Sequence, residues 1–153
     1  MSAPNKEYLY VGYYIDKENQ FVLKIGTTNN LERRQKEHTR NYAKATHSPM
    51  RQGEEFHYLW HLPLSKYNTL RYEDLNRKMW RENAVGIFIQ NDRFLCNCPP
   101  AEICIKIRKS YNICIRDKIV PFFLKKIQNC LLTNLLEVWY NWRPLGERLG
   151  PNF

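Results

Sequence analysis

A phenol, an amine, a guanidinium and an imidazole follow one another near the start of the chain: Tyr10, Lys24, Arg34 and His38. Arg34 and His38 are four residues apart, so on a helix both project from one face. Lys24 sits in an apolar run just before Ile25-Gly26, and Tyr10 lies in an earlier run of the same character. A helix face that looks back on these two runs brings all four groups onto one small area. Such an area suits phosphoryl chemistry. An Arg fork offers parallel donors to phosphoryl oxygens as they gather charge. A phenol, with an ordinary pKa of about 10, takes a proton from water near neutral pH only beside positive charge such as Lys24. Taken singly, each residue has a plainer use. Tyr10 packs in an aromatic strand, Arg34 and His38 form a solvated helix face, and Glu73 makes an i,i+4 pair with Arg77. The ordered set is what points to chemistry.

The sequence between these residues reads as a frame that holds them. Residues 8–15 (YLYVGYYI) are aromatic and β-branched, a strand pattern that residues 21–25 repeat after the polar turn 16–20. The two predict an antiparallel hairpin. Gly26 is expected to end the second strand, and Asn29 or Asn30 to cap a helix from Leu31 to about Tyr42, with Glu32 in its first turn. Residues 43–54, with Pro49 and Gly53, read as a loop. Residues 56–62 alternate as a third strand, with Phe56, Tyr58 and Trp60 on one face. A connection over 64–68 leads to a second helix, capped by Thr69 and running over 70–82, with Tyr72, Leu75 and Met79 as its buried stripe. Residues 86–89 and 93–96 flank a turn in a short hairpin. Pro99-Pro100 opens a helix over 99–111, although the alternation of Ile103, Ile105 and Ile107 fits a strand instead. A last helix spans 121–142, followed by a tail. The expected fold is α+β: a small, mostly antiparallel three-stranded sheet flanked by helices. Residues 1–95 form its core, and 96–153 a C-terminal helical extension on the same domain.

The chain has 153 residues, 43% apolar and 14% aromatic, which suits one domain with a real core and excludes wholesale disorder. No run approaches the roughly 20 apolar residues of a membrane span, and residues 1–10 lack the apolar stretch of a secretory signal. The expectation is an intracellular protein, cytoplasmic or nuclear, with no membrane partner. Five cysteines at irregular spacings form no disulfide framework and fit a reducing compartment. Cys96, Cys98, Cys104 and Cys114 lack the paired spacing of a zinc site. His57 and His61, four residues apart on a strand and therefore about 13 Å from each other, are too distant to share an ion. Lys and Arg total 24 against 15 Asp and Glu, a net charge of +9 that favours a polyanionic partner such as nucleic acid. Arg33, Arg34, Lys36 and Arg40 on the first helix, with Arg51 in the loop after it, are the candidate contacts to a DNA backbone.

The ordered set of Tyr8-Leu9-Tyr10, Lys24-Ile25-Gly26, Arg34 and His38 resembles the GIY-YIG nuclease superfamily. That family carries Gly-Ile-Tyr and Tyr-Ile-Gly on two strands, an Arg on the following helix and a metal-binding Glu on a later one. Tyr10 stands at the first tyrosine, Lys24-Ile25-Gly26 at the second motif, Arg34 at the family spacing from Gly26, and Glu73 as the best match to the glutamate. The Lys-Ile-Gly form looks like the phage and restriction-enzyme branch. The likeness covers roughly residues 7–94 and is strongest over 24–38. The first motif lacks its glycine, and Asn83 is the candidate for an asparagine near the site. The resemblance implies a DNA endonuclease dependent on Mg²⁺ or Mn²⁺. In it Tyr10 is the general base, Lys24 positions or activates the water, Arg34 clamps the phosphate, His38 donates a supporting hydrogen bond and Glu73 binds the metal. One carboxylate with waters suits Mg²⁺. Two other readings stand beside it: a DNA-binding module that has kept this fold without the chemistry, and an interaction domain whose basic surface is incidental. The helix over 121–142, with Trp139, Tyr140 and Trp142, either completes the core or offers a homodimer contact.

Overall fold

The two aromatic, β-branched runs pair as an antiparallel hairpin, and the rest of the fold is built outward from it. In the computed structural model, which describes residues 6–82, 85–90 and 92–96 together with 102–103, 105–107, 109 and 133, the sheet has five strands in the order β3-β1-β2-β5-β4. They are β1 (Lys6–Ile15), β2 (Phe21–Thr28), β3 (His57–Ser65), β4 (Ile87–Ile89) and β5 (Arg93–Leu95). Helix α1 (Leu31–Ala43) follows β2, and α2 (Lys66–Glu82) follows β3. Every pairing is antiparallel. The α+β class holds, with five strands where three were expected. The short hairpin β4–β5 joins the sheet through Val22–Leu95 and Leu23–Phe94, and so satisfies backbone groups that β2 would otherwise present as an open edge.

Residues opposite each other on an antiparallel pair share a face. Tyr10 lies opposite Gly26, Gly12 opposite Lys24 and Tyr14 opposite Val22. This face packs under α1, with Tyr42, Met50 and Phe56 completing its buried cluster. The other face carries Leu9, Val11, Ile15, Phe21, Leu23 and Ile25 against Tyr72, Met79 and Trp80 of α2. The larger core is here, with Trp80 edge-on to Phe94 at 5.4 Å. Residues 102–103, 105–107 and 109 are helical, and Ile103 and Ile107 are buried in the same core while Ile105 is 51% exposed. Burial at a spacing of four decides for the helix over the strand.

Four local expectations change. Gly26 does not end β2; the strand runs on to Thr28, and the glycine serves close approach instead, since a Cβ there would fall on the Tyr10 ring and hydroxyl. Helix α2 begins at Lys66, directly after β3. Its N-terminal side-chain cap is Ser65, whose hydroxyl accepts from the Asn68 N–H at 3.3 Å, while Thr69 is buried in the first turn and donates to the Ser65 carbonyl. Phe56, Tyr58 and Trp60 do not share a face. The pairing of Val11 with Trp60 and of Gly12 with Tyr58 leaves Leu59 as an extra residue, a β-bulge that resets the alternation. Phe56 and Tyr58 therefore go to the α1 side, and Trp60, Leu62 and Leu64 to the α2 side. Pro63 lies in β3, an edge strand, where a missing N–H is tolerated. Asn83, Cys98, Cys104, Cys114, the helix over 121–142 with its dimer contact, and the tail lie outside the described residues. No helix among the described residues is long and apolar enough to cross a membrane.

Gly12 tests the packing of the α1 face. A Cβ at this position would strike the Phe56 ring and stand 2.7 Å from the His57 carbonyl oxygen, which is fixed in the β3 ladder. Gly12→Ala is expected to lower the free energy of unfolding by roughly 1–3 kcal/mol in urea titration, the usual cost of overpacking. An unchanged midpoint would show that Phe56 yields freely.

Candidate active site

Helix α1 is placed by contacts that its own sequence supplies. The Asn30 side chain caps it by accepting the Arg33 N–H at 3.0 Å. Three bonds tie it to β3 and the residue before that strand: the Tyr58 hydroxyl donates to the Leu31 carbonyl at 2.7 Å, the Gln35 amide donates to the Phe56 carbonyl at 2.8 Å, and the Phe56 N–H donates to the Thr39 hydroxyl at 3.1 Å. Arg34 and His38, one turn apart, then face the sheet above Tyr10. The Tyr10 hydroxyl lies 2.6 Å from His38 Nε2 in a fully buried contact. The phenol runs across Gly26, whose missing side chain is the space it uses. Tyr58 and Phe56 meet the Tyr10 ring edge-on at 5.1 and 6.3 Å, and Tyr42 stacks on the His38 ring at 5.1 Å and 7°.

The electrostatics follow from this burial. Desolvation pushes the Tyr10 phenol well above its usual range; the Arg34 guanidinium beside it pulls the other way, and the charge of Glu73 adds to the rise. His38 is held neutral, its pKa brought down to about 3 by burial and then by the positive charges of Arg34 and Lys24, against a smaller opposing effect of Asp92. Arg34 donates through Nη1 to Glu37 at 2.8 Å, and its Nε is buried without a hydrogen-bond partner. A guanidinium donating to the phenol oxygen leaves the phenol O–H for His38 Nε2, which, as the acceptor of a neutral imidazole, can take it.

Tyr10, Arg34 and His38 therefore meet, and Glu73 is near enough for its charge to be felt at Tyr10. Lys24 is on the same face, but its ammonium is paired with the Asp92 carboxylate. Glu73 is paired with Arg77 at 2.5 Å, its side chain 16% exposed. Of the basic residues, Arg33 reaches Glu37 and Asn29, and Lys36 reaches Glu32. Arg40 is exposed. Arg51 pairs with Glu54 and Asn19 at the turn end of the hairpin, about five strand residues or ~17 Å from Tyr10. Asp92, Tyr42, Tyr58 and Glu37 are site residues that sequence reasoning missed. Glu37 alone left a signal, three residues after Arg34 on the same helix. Among the described residues no group of three or more His, Cys, Asp or Glu is placed to hold a metal. A single carboxylate, Glu73, would suit only an ion that keeps most of its water shell, as Mg²⁺ does.

The depressed pKa of His38 has a consequence for stability. Below its ordinary pKa of about 6.5 the imidazole takes a proton in the unfolded chain but not in the folded one. The unfolding free energy should fall as pH drops from about 6.5 toward 3, by up to ~1.4 kcal/mol per pH unit from this group. In urea titrations across that range, His38→Gln is expected to flatten the slope. Parallel slopes for the two proteins would mean that His38 is protonated as readily in the fold as outside it.

No curated protein and no solved structure matches the chain significantly. A family match covers residues 7–105, which include the hairpin, α1, β3, α2 and every residue of the site, and it is to this family rather than to a GIY-YIG family proper. With more than half of its length matched, the chain belongs to the T5orf172 domain family.

Proposed function

We propose that this protein is a divalent-metal-dependent DNA endonuclease of the GIY-YIG type. The observation that carries the reading is the meeting of the Tyr10 hydroxyl with His38 Nε2 at 2.6 Å beside the Arg34 guanidinium. A T5orf172 domain, which is found in phage and nuclease-like proteins, is compatible with it. The net charge of +9 supports a polyanionic substrate.

In this reading the partly exposed Arg34 guanidinium receives a phosphate, with Glu37 fixing its Nη1 side. Water attacks phosphorus as the bond to the 3′ oxygen breaks. Once substrate binding admits that water to the buried hydroxyl, Tyr10 accepts the water proton while its own proton passes to His38 Nε2. The negative phosphate at Arg34 raises the proton affinity of His38 at the moment it is needed, offsetting the burial that otherwise keeps the ring neutral. His38 thus acts as an acceptor, where sequence reasoning assigned it a donor's role. Glu73, paired with Arg77 in the DNA-free protein, is the residue that would hold Mg²⁺ or Mn²⁺, and such an ion would supply Lewis-acid stabilisation of the leaving oxygen. Lys24, engaged by Asp92, contributes positive charge to the pocket rather than a free amine. The ion pairs at Glu73 and Lys24 favour a second reading, a DNA-binding module of the same fold without chemistry. A nicking assay with Mg²⁺ and Mn²⁺ separates the two.

Arg34→Lys keeps a positive charge but loses the fork. It should retain most DNA binding and lose about 10²–10³ in single-turnover rate, the usual loss for one preorganised donor. Glu73→Ala should abolish cleavage and leave folding and DNA binding in place. Wild-type rates in either variant would remove that residue from the chemistry.

A further inference from the structure

Asp92, in the turn between β4 and β5, gathers more polar contacts than a turn needs. One carboxylate oxygen pairs with the Lys24 ammonium. The other accepts the Tyr42 hydroxyl at 3.2 Å and lies 3.2 Å from the Arg93 guanidinium. Its backbone carbonyl accepts from Lys24 at 3.4 Å, and its own N–H closes the turn to Ile89 at 3.0 Å. These partners reach the site. Among the neighbours of the Tyr42 ring, His38 stacks on it at 5.1 Å and 7°, Tyr14 stacks on it at 5.0 Å and 23°, and the Arg93 guanidinium stands 5.0 Å from its centroid. Arg93 also donates to the Tyr14 hydroxyl at 2.5 Å and to the His47 carbonyl at 2.8 Å, which ties Tyr14 and the loop after α1 to the same group.

We propose that Asp92 is a positioning residue for the Tyr10–His38 pair: it anchors Tyr42 by its hydroxyl and Lys24 by its ammonium, and Tyr42 holds the imidazole at the angle where Nε2 meets the phenol. Stability alone is a poor reason for this arrangement, because the Asp92 side chain is 32% exposed and ion pairs near the surface contribute only about 0–1 kcal/mol. What the charges supply is direction. Without the Asp92 anchor, the Tyr42 ring is free to slide along the imidazole, and the Lys24 ammonium is free to turn toward His38, whose proton affinity already feels its charge. The positioning claim concerns geometry and stands in the DNA-free protein; only its effect on rate rests on the endonuclease reading.

The test uses Asp92→Ala and Tyr42→Phe in the full chain. Tyr42→Phe keeps the ring and removes only the hydroxyl that Asp92 holds, so it decides the matter if Asp92→Ala does not fold. The readout in free protein is the NMR resonance of the His38 ring protons, which the Tyr42 face shields. Both variants are expected to move it toward the position of the exposed His47. They should also slow single-turnover cleavage about 10²-fold with DNA affinity unchanged, as misplacement of a reacting group does. A His38 resonance unmoved in folded Tyr42→Phe overturns the proposal. A resonance that moves as expected, with no cleavage by any form including wild type, upholds the positioning role and overturns the endonuclease reading.

Discussion

A phenol and an imidazole, each costly to bury alone, satisfy one another behind a glycine, and much of the fold can be read as what that contact requires. The Tyr10 hydroxyl reaches His38 Nε2 only because Gly26, directly opposite Tyr10 in the β1–β2 ladder, leaves the space that the phenol crosses. Helix α1 has to lie over this spot, and the Tyr58–Leu31 and Gln35–Phe56 hydrogen bonds tie it there. Tyr58 is on the correct face because the bulge at Leu59 resets the alternation of β3. Phe56, Tyr58 and Tyr42 then close the sides. That burial keeps both partners neutral in the DNA-free protein and lets a single incoming charge change their proton affinities.

The parts of this arrangement legible in the sequence are local ones. The hairpin is written in the alternation of residues 8–15 and 21–25, and α1 in Asn30, Glu32 and the spacing of Arg34 and His38. The bulge was not legible, since it depends on how β3 meets β1 rather than on the pattern of β3 alone. Gly26 looked like a strand terminator because glycine is permissive, and its actual use, room for a ring on a neighbouring strand, appears only with the pairing. Asp92 is sixty-eight residues from Lys24, and no local signal links the two. Lys24 consequently looked like a free amine. The start of α2 was misplaced because Ser65 and Thr69 are both credible caps, and the burial of Thr69 decided between them.

The basic composition also reads differently once the charges have neighbours. On α1, Glu32 and Glu37 engage Lys36, Arg33 and Arg34 within the helix. Such pairs at or near the surface contribute only about 0–1 kcal/mol each, so a phosphate can replace a glutamate as partner at little cost. The intrahelical pairs therefore pre-align the basic side chains without withholding them. Glu37 differs from the others in its partner: it holds one edge of Arg34 while the Nε edge stays unpaired in the buried site. Arg51, at the other end of the hairpin, belongs to the loop that braces the β1–β2 turn.

The central claim is that the Tyr10 hydroxyl is the group that takes a proton from the attacking water. Tyr10→Phe deletes that oxygen and keeps the ring that fills the space over Gly26. The decisive measurement is single-turnover cleavage of supercoiled DNA in Mg²⁺ by the wild type and by Tyr10→Phe, with DNA binding measured in parallel. The account predicts that the wild type converts supercoiled DNA to nicked or linear product, and that Tyr10→Phe binds equally well and leaves it intact. Cleavage by Tyr10→Phe at the wild-type rate would contradict it.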